Sequence, residues 1–467
     1  MQWDLARLSE ECEAQLRAIR AGRVAPQLAR GEVLRELEER YRFDAPQALD
    51  DVAADVVALL ARGILHPAHT RYFGLFVPGV RFSSVVADLI TASINPQIGG
   101  WFHSPAGVEL EEHTLRFLLR ALGFDPDASA AHFTSGGSEA NLTAALSALA
   151  HAHPETATRG VRALDRQPLI FVSREAHHSL WKVARHMGLG TDAVRAIETD
   201  ERFRMRVDAL REQLAREKPF LIVATAGTTA AGAIDPLEEI ADVCAEHGIW
   251  LHVDAAWGGA AVLSPQLKPH LRGIERADSI ACDAHKWLSV AMGAGMFFTR
   301  RPEALARAFE VEASYVPRAA EPEPDFYRAS LQWSRRFIGL KVFLALAELG
   351  AAGLAAQLEQ QTALGDRLRD ALRTRGWEIV NDTPFPLVCF RRDGVDSAEL
   401  VRRVVADGNH WISHAIVGGT HSVARACITN HETTADDVDS LAEAITQFSP
   451  WSGGLSARRS SREDPAG

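Results

Sequence analysis

The middle of the chain repeats an order of elements that restricts its fold more than any other feature. The apolar run at residues 220–224 predicts a buried strand, and Asp235 and Pro236 stand at the N-cap and first-turn positions of a helix that Gly248 ends. Residues 249–253 are again mostly apolar and predict the next strand. A strand, a helix and a second strand in this order predict a βαβ unit, and so a mostly parallel sheet with helices on both faces.

The chain of 467 residues is too long for one ordinary hydrophobic core. We predict a large domain at residues 81–350 and a small C-terminal α/β domain at residues 351–450. Residues 1–80 place apolar side chains at helical spacing among charged ones, which predicts an N-terminal helical segment. The tail at residues 451–467 is polar and predicted to be disordered.

Charge and cysteine usage restrict the partners and the compartment. A net charge of −11 argues against nucleic acid, because phosphate binding needs a basic surface. The five cysteines are scattered and show no C-x-x-C spacing, so they indicate neither a disulfide framework nor a zinc or other metal site. The first 20 residues lack the apolar core of a signal peptide, and no apolar run is expected to approach the length of a membrane span. We therefore expect a cytoplasmic protein without membrane contact.

A single lysine, Lys286, stands between His285 and Trp287 just after a short apolar run. Lysine is almost never fully buried without a reason, and an amine that loses its proton by desolvation attacks aldehydes to form a Schiff base. Asp254 follows the predicted strand at residues 249–253, at the edge where open α/β sheets bind their ligands. A lysine for the aldehyde and an acid for the ring nitrogen together indicate pyridoxal 5'-phosphate (PLP) as the cofactor.

The stretches around Asp254 and Lys286 resemble the PLP-dependent group II amino-acid decarboxylases, a family that includes the aromatic-amino-acid, glutamate and tyrosine decarboxylases. The resemblance extends over residues 66–445. It implies PLP fold type I, which is aminotransferase-like, with a mostly parallel seven-stranded sheet flanked by helices and a smaller C-terminal domain. It also implies a homodimer whose active sites lie near the subunit interface, with the N-terminal segment packed on the partner subunit.

Gly136, Gly137 and Ser138 lead from a predicted strand into a long apolar helix. Two glycines let the backbone approach a ligand, and the start of the helix offers free N–H groups to a phosphate. Such a turn on its own is more often an ordinary helix cap, in which Ser138 would be the capping residue. In this order with Asp254 and Lys286, it predicts the phosphate site.

The resemblance assigns further residues to the cofactor. His177 matches the histidine that stacks on PLP, and the adjacent His178 is the alternative. Without the resemblance, a histidine at this position would be interpreted as a solvated loop residue. Thr229 matches a threonine of the cofactor site, and Ala256 matches the small residue under the opposite face of the ring. His285 is predicted to contact the phosphate.

The chain departs from the family pattern at Asp283, where many members have asparagine. An acid close to a phosphate is repelled unless it is protonated or paired, so a phosphate contact through Asp283 is not expected. Tyr315 falls where family members carry a catalytic tyrosine on a mobile loop, and it is the candidate proton donor. The alternative is a tyrosine that only packs its loop.

Four residues are candidates for substrate binding. Arg425 alternates with alanines on a predicted core strand, where an arginine needs a carboxylate or a similar partner. The resemblance makes that partner the carboxylate of the substrate, and an intramolecular salt bridge is the alternative. Pro78, Gly79 and Gln97 match loops that form the substrate pocket, and the loop with Gln97 is expected to contribute across the dimer interface.

These residues together predict a decarboxylase that removes the α-carboxylate of an L-amino acid and yields an amine and carbon dioxide. An ionised Asp254 would keep the ring nitrogen protonated, so that the ring accepts the electrons of the broken bond. The tyrosine at position 315 favours amine formation, because relatives with phenylalanine there tend toward oxidative deamination to an aldehyde. A PLP-fold protein without catalysis, kept as a regulatory partner, is the third alternative.

Overall fold

The structure of the protein is a computed structural model, and it describes residues 5–311 and 325–448. Tyr315 and the tail at residues 451–467, for which we made predictions above, lie outside the described residues. The strands of the larger sheet are β1 (Ala130–Thr134), β2 (Ile170–Ser173), β3 (Val194–Ile197), β4 (Leu221–Thr225), β5 (Trp250–Asp254), β6 (Ser279–Asp283) and β7 (Gly295–Thr299). Those of the smaller sheet are β8 (Glu378–Ile379), β9 (Leu387–Arg391), β10 (Ser413–Val417) and β11 (His421–Cys427).

The α-helices connect and cover these sheets. In chain order they are α1 (Leu5–Ala21), α2 (Glu32–Arg40), α3 (Leu49–Gly63), α4 (Phe82–Ile94), α5 (Pro105–Leu122), α6 (Gly137–Ala152), α7 (Thr156–Arg159), α8 (Ser179–His186), α9 (Val207–Leu214), α10 (Leu237–His247), α11 (Pro302–Phe309), α12 (Gly339–Thr374), α13 (Ser397–Asp407) and α14 (Ala435–Phe448). The βαβ unit predicted from the sequence is β4–α10–β5, and β4 and β5 pair in parallel.

The larger sheet has the strand order β1-β7-β6-β5-β4-β2-β3. All neighbours pair in parallel except β7, which is antiparallel to both β1 and β6. The prediction of a mostly parallel seven-stranded sheet is confirmed. Because β5 and β6 are parallel neighbours, with Asp254 opposite Ala281, the residues that follow both strands emerge at one edge of the sheet.

The two faces of β4 pack into different parts of the core because successive side chains of a strand point to opposite faces. Ile222 and Ala224 belong to one cluster, together with Ile240 of α10. Leu221 and Val223 belong to another, which includes alanines of α6. Helices therefore cover the sheet on both sides, as its uninterrupted apolar strands predict.

The start of α10 differs from the prediction. The helix begins at Leu237, and Asp235 does not cap it. Instead the Asp235 carboxylate is buried and accepts hydrogen bonds from the backbone N–H groups of Met205 and Thr225, each at 2.7 Å. Burial raises the pKa of the Asp235 carboxyl to about 7. The local preference of aspartate for an N-cap was overridden because two buried N–H groups from separate segments need an acceptor.

Helix α12 has one stretch that is long and apolar enough, by length and composition alone, to cross a bilayer, so the expectation that no apolar run approaches that length is wrong. The helix nevertheless packs against α4, α5 and α14, and it buries the polar side chains of Lys341 and Arg369. It also changes direction at Gly350, whose φ of 64° and ψ of 172° are not helical. These contacts make α12 a core helix of the protein.

The smaller sheet is antiparallel, with the strand order β10-β11-β9-β8. Its apolar face packs with α13, α14 and the end of α12, including Leu368 and Leu372, into a separate core. Leu354 and Leu358, also on α12, still belong to the core of the larger sheet. A small C-terminal α/β unit is therefore present, and its exact boundary near residue 350 stays a prediction.

Candidate active site

The structure brings Lys286, Asp254 and His177 together at the carboxyl edge of the large sheet. Asp254 is the last residue of β5, and Lys286 follows β6 after three residues. A hydrogen bond from the N–H of Asp283 to the carbonyl of Ala256, at 2.9 Å, joins the loops after these strands. Burial lowers the pKa of His177; the nearby Asp254 carboxylate opposes this shift and the Lys286 ammonium adds to it.

The Lys286 side chain is only partly exposed, and its amine has two neighbours of opposite kinds. Nζ lies 2.9 Å from Oδ2 of Asp283, and the centroid of the Phe76 ring is 5.9 Å away. Asp283 is therefore the ion-pair partner of the lysine in this structure. This contact was not predicted from the sequence, which indicated only that an acid at position 283 needs to be paired.

Close contacts leave little room for a side chain at position 137. A Cβ atom there would lie 3.0 Å from Asp283 Oδ2 and 3.2 Å from the Ala256 methyl group. Gly136 precedes the helix and lies beside the His285 ring, where a Cβ would be 3.5 Å from Cε1. The backbone of this turn is thus open to a ligand on the side of the residues predicted for the phosphate.

Helix α6 starts at Gly137 without a side-chain cap, so the alternative in which Ser138 caps it is wrong. Ser138 is exposed, and the turn is held in another way. The N–H and hydroxyl of Ser135 donate to Oε2 of Glu139 at 2.8 and 2.6 Å, and Gln332 donates to the same carboxylate. The first N–H groups of α6 have no side-chain cap, and a helix N-terminus in this state attracts a phosphate.

The histidines of the loop after β2 differ in their surroundings. His177 is exposed, and its Nδ1 accepts a hydrogen bond from the Ser179 N–H at 3.3 Å. His178 is exposed and lies at the start of α8, with its ring 5.6 Å from that of Trp181. His177 interacts electrostatically with Asp254 and Lys286, which makes it the histidine of this pair that belongs to the candidate site.

Arg425 lies on β11 and is buried, with 2% of its surface exposed. Its Nε donates to the carbonyl of Thr229 at 3.1 Å, and Nη1 donates to the carbonyl of Gly74 at 2.9 Å and to Ser413 Oγ at 3.3 Å. Among the described residues no carboxylate forms a salt bridge with Arg425, so the intramolecular salt-bridge alternative is not supported. Nη2 is buried and has no hydrogen-bond partner in the described part of the chain.

Arg425, whose Nη2 has no hydrogen-bond partner among the described residues, lines a cavity of about 420 Å³. His177 and Thr229 line the same cavity, together with Arg174 and Ile416. Arg174 is paired with Glu198, whereas Arg425 has no acidic partner within residues 5–311 and 325–448.

Phe76 links this cavity to the lysine. The guanidinium carbon of Arg425 is 4.9 Å from the centroid of the Phe76 ring, whose distance from Lys286 Nζ is 5.9 Å. Both cations therefore lie against one aromatic ring, and a substrate attached near Lys286 has an arginine within reach.

The other predicted substrate residues do not line this cavity. Pro78 is buried, and a Cβ on Gly79 would lie 3.1 Å from Ala68 Cα. Gln97 uses its Oε1 to accept hydrogen bonds from the N–H groups of Gly99 and Arg335, at 2.6 and 3.1 Å. Their role in a pocket shared between subunits stays a prediction, as does that of Tyr315 outside the described residues.

Asn141 and His252 are site residues that we did not single out from the sequence. Asn141 Nδ2 donates to Asp254 Oδ2 at 2.9 Å, and His252 Nε2 lies 3.0 Å from Asn141 Oδ1. The sequence contains a signal for each: Asn141 lies one helical turn after Gly137, and His252 lies two residues before Asp254 on the same face of β5.

These residues fit a PLP site: a lysine amine for the aldehyde, a buried acid for the ring nitrogen, and a glycine turn at a helix start with little room for a side chain. The site and fold therefore define a PLP-dependent enzyme of fold type I. Residues 31–393 match the family model described as the pyridoxal-dependent decarboxylase conserved domain. The chain belongs to this family, so it is a PLP-dependent carboxy-lyase.

Individual relatives agree with this assignment. The chain is 34% identical over 412 residues to human (Homo sapiens) cysteine sulfinic acid decarboxylase, covering 81% of this chain and 82% of that protein. Its structure is similar to the crystal structure of mouse CSAD, with a TM-score of 0.86, 28% identity and coverage of 95% of this chain and 99% of the other. It is also similar to Oryza sativa TDC, solved with PLP and tryptamine, with a TM-score of 0.87, 26% identity and coverage of 95% and 96%.

Proposed function

We propose that this protein is a homodimeric, cytoplasmic decarboxylase that converts an L-amino acid with a short acidic side chain into the corresponding amine and carbon dioxide. The observation that carries the substrate class is the buried Arg425 guanidinium, whose Nη2 has no partner among the described residues and which lines the cavity beside His177. The name of the human relative, a cysteine sulfinic acid decarboxylase, supports the same class of substrate.

PLP, when bound, withdraws the electrons of the bond that is broken at Cα of the substrate. The chain supplies the groups around this chemistry. Asp254 offers a buried carboxylate to the ring nitrogen, Lys286 offers the amine that holds the aldehyde, and His177 offers a flat ring beside them. Tyr315 is the proposed donor of the proton that replaces the carboxylate at Cα.

Arg425 is better suited to a side-chain acid than to the α-carboxylate. A guanidinium bound to the carboxylate that leaves would stabilise the charged ground state and oppose the loss of carbon dioxide. Bound to an acid at the far end of the substrate, the same guanidinium orients the substrate without holding the group that departs. The α-carboxylate is then left for a less polar part of the site, where loss of its hydration assists the reaction.

Exposed apolar side chains support the homodimer. Helix α4 carries Phe82, Val85 and Leu89 at spacings of three and four residues, and these side chains are 73%, 46% and 48% exposed. A stripe of this kind on a surface helix is typical of a protein interface. We therefore place α4 in the contact between subunits.

A panel of L-amino acids tests the proposal. Holoenzyme is incubated with aspartate, glutamate, cysteine sulfinate, tryptophan and tyrosine, while carbon dioxide, amine, aldehyde, ammonia and hydrogen peroxide are measured. Carbon dioxide with amine from an acidic substrate is the expected result. Turnover of aromatic substrates alone would refute the substrate class, and aldehyde with ammonia and peroxide would establish the oxidative alternative.

Two further measurements test the cofactor residues and the dimer. Lys286→Ala is expected to lose the visible absorbance of the covalently bound cofactor and all measurable carbon dioxide release. If Lys286→Ala releases carbon dioxide at the same rate as the wild type, any activity of the protein does not depend on Lys286, and the assignment of this lysine to the cofactor fails. Light scattering is expected to give twice the mass of the chain, and Phe82→Glu with Leu89→Glu is expected to give monomers.

A further inference from the structure

A chain of hydrogen bonds lies behind Asp254, on the side of the sheet that packs against α6. Trp250 Nε1 donates to Ser279 Oγ at 2.9 Å, and the same oxygen is 2.9 Å from Nδ1 of His252. His252 Nε2 is 3.0 Å from Oδ1 of Asn141, whose Nδ2 donates to Asp254 Oδ2 at 2.9 Å. All five side chains are buried, and those of His252 and Ser279 have no exposed surface.

The direction of every bond in this chain is determined by its ends. The indole N–H of Trp250 only donates and the carboxylate of Asp254 accepts, so the Asn141 amide must turn its NH₂ group toward Asp254 and its oxygen toward His252. Burial lowers the pKa of His252 to about 4, so the ring is neutral at physiological pH and carries one N–H. That N–H is on Nε2, because it faces Asn141 Oδ1, which only accepts; Nδ1 then accepts from the Ser279 hydroxyl and also lies 3.1 Å from the Ser279 carbonyl oxygen, which cannot donate to it. Each donor therefore points toward the carboxylate.

Asn141 also connects the carboxylate to the loop that carries His177. The second N–H of its amide donates to Ser179 Oγ at 3.2 Å, and the Ser179 N–H donates to Nδ1 of His177 at 3.3 Å. Both N–H groups and the oxygen of the Asn141 side chain thus have partners: Asp254 and Ser179 for the N–H groups and His252 for the oxygen. A single buried amide holds both parts of the site in place.

We propose that Asn141 and His252 are positioning residues that keep Asp254 ionised and oriented toward the ring nitrogen of PLP. Aligned neutral donors polarise one another, so they stabilise the carboxylate without a positive charge that would compete with the protonated ring nitrogen for it. The inference rests on the assignment of Asp254 as the partner of the ring nitrogen, and it goes beyond that assignment by naming what sets the charge of the carboxylate.

Two amide substitutions at position 252 distinguish the effect of the hydrogen-bond relay, which runs from Trp250 to Asp254, from the effect of packing in the core. The amide nitrogen of His252→Gln takes a place close to Nε2 and retains the donor to Asn141, whereas that of His252→Asn lies close to Nδ1 and does not reach Asn141. Holoenzyme is prepared with PLP labelled with ¹⁵N in its ring, and the ¹⁵N resonance is measured with kcat and KM. We expect His252→Gln to retain the wild-type resonance. His252→Asn is expected to shift it toward that of the unprotonated ring and to lower kcat about 10-fold, with KM changed by less than about twofold.

The outcomes distinguish the relay from the assignment of Asp254. Asp254→Asn has to move the ¹⁵N resonance, and if it does not, the assignment of Asp254 fails. If Asp254→Asn moves the resonance while His252→Asn and Asn141→Leu leave it at the wild-type position, the relay is overturned. If those two variants do not fold, Ser279→Ala removes a donor from the distant end of the relay. A smaller shift in the same direction supports the proposal, and an unchanged resonance refutes it.

Discussion

The ammonium of Lys286 lies 2.9 Å from Oδ2 of Asp283, and Asp283 is 2% exposed. The other carboxylate oxygen, Oδ1, is buried without a hydrogen-bond partner in the described part of the chain. The same aspartate is close to Gly137, at the turn that is proposed to hold the phosphate of PLP. The lysine is therefore paired with an acid that also lies beside the proposed phosphate site.

We predict that Asp283→Asn binds PLP more tightly than the wild type does. The substitution removes the repulsion between a buried carboxylate and the phosphate, and it removes the ion pair that the Lys286 amine has to leave in order to react with the aldehyde. A buried interaction with a charge amounts to about 1.5–3 kcal/mol, which corresponds to a gain in affinity of about 10-fold or more. Equilibrium dialysis of apoenzyme against PLP measures the affinity, and stopped-flow absorbance measures the rate of loading.

Asp165→Asn is the matched control, because Asp165 is an exposed aspartate on the surface of the same domain. It removes the same charge and is expected to leave both the affinity and the rate at the wild-type values. Weaker PLP binding by Asp283→Asn would show instead that the carboxylate supports the phosphate site through a protonated or hydrogen-bonded form.

Removal of the Arg425 guanidinium is predicted to affect acidic substrates selectively. Arg425→Met is expected to lower kcat/KM for the preferred acidic amino acid about 10- to 150-fold, since a hydrogen bond to a charged group contributes about 1.5–3 kcal/mol. Turnover of a neutral amino acid of similar size is expected to change much less. Steady-state carbon dioxide release with both substrates measures the difference.

Arg174→Met provides a control within the same cavity. Arg174 also lines it, but its guanidinium is paired with Glu198, so its removal is expected to change kcat/KM for the acidic substrate little. Arg425→Met also loses the hydrogen bonds to the carbonyls of Gly74 and Thr229. Thermal unfolding of both variants measures the loss of stability that results. An equal loss for acidic and neutral substrates would show that Arg425 acts through the fold and not by binding a side chain.

The sequence was sufficient to predict that Lys286 and Asp254 lie at one edge of the large sheet, because each is found at the end of a buried apolar strand or just after it. The sheet followed from uninterrupted apolar strands. The Asn141–His252 contact could not be predicted, since it depends on how α6 packs against β5 and not on any local spacing. Asp235 was predicted wrongly for a related reason: its buried N–H partners come from segments distant in sequence. For Arg425, the sequence could not distinguish backbone carbonyls from a carboxylate as the partners of a buried guanidinium.

Tyr315→Phe is predicted to change the product and to leave cofactor binding intact. Without a proton donor, the electrons left at Cα react with oxygen, so that substrate, oxygen and water give aldehyde, carbon dioxide, ammonia and hydrogen peroxide. We expect the ratio of aldehyde to amine to rise at least about 10-fold in air, which follows from the typical contribution of a positioned acid. Oxygen consumption and product analysis check this. An unchanged yield of amine would assign the proton to another group and Tyr315 to loop packing.

His132 is predicted to make the folded protein sensitive to acid. The ring is fully buried on β1, 5.4 Å from the ring of Phe297, and neither nitrogen has a hydrogen-bond partner among the described residues. Burial lowers the pKa of His132 well below its usual value of 6.5. Below pH 6.5 the unfolded chain therefore binds a proton that the folded protein does not, so the free energy of unfolding falls as the pH falls. The loss amounts to about 1.4 kcal/mol per pH unit for this residue.

His132→Leu removes this contribution while it keeps an apolar side chain of similar volume in the core. Between pH 7.5 and 5.5 the wild type is expected to lose about 1.4 kcal/mol more stability than the variant, because only the unit below pH 6.5 contributes. Thermal unfolding of holoenzyme across this range measures the two slopes. His247→Leu, at the exposed end of α10, is the control and is expected to keep the wild-type slope, because the histidine that it removes is not buried. Equal slopes for the wild type and His132→Leu would mean that His132 gains a partner, such as a buried water, that satisfies its charged form.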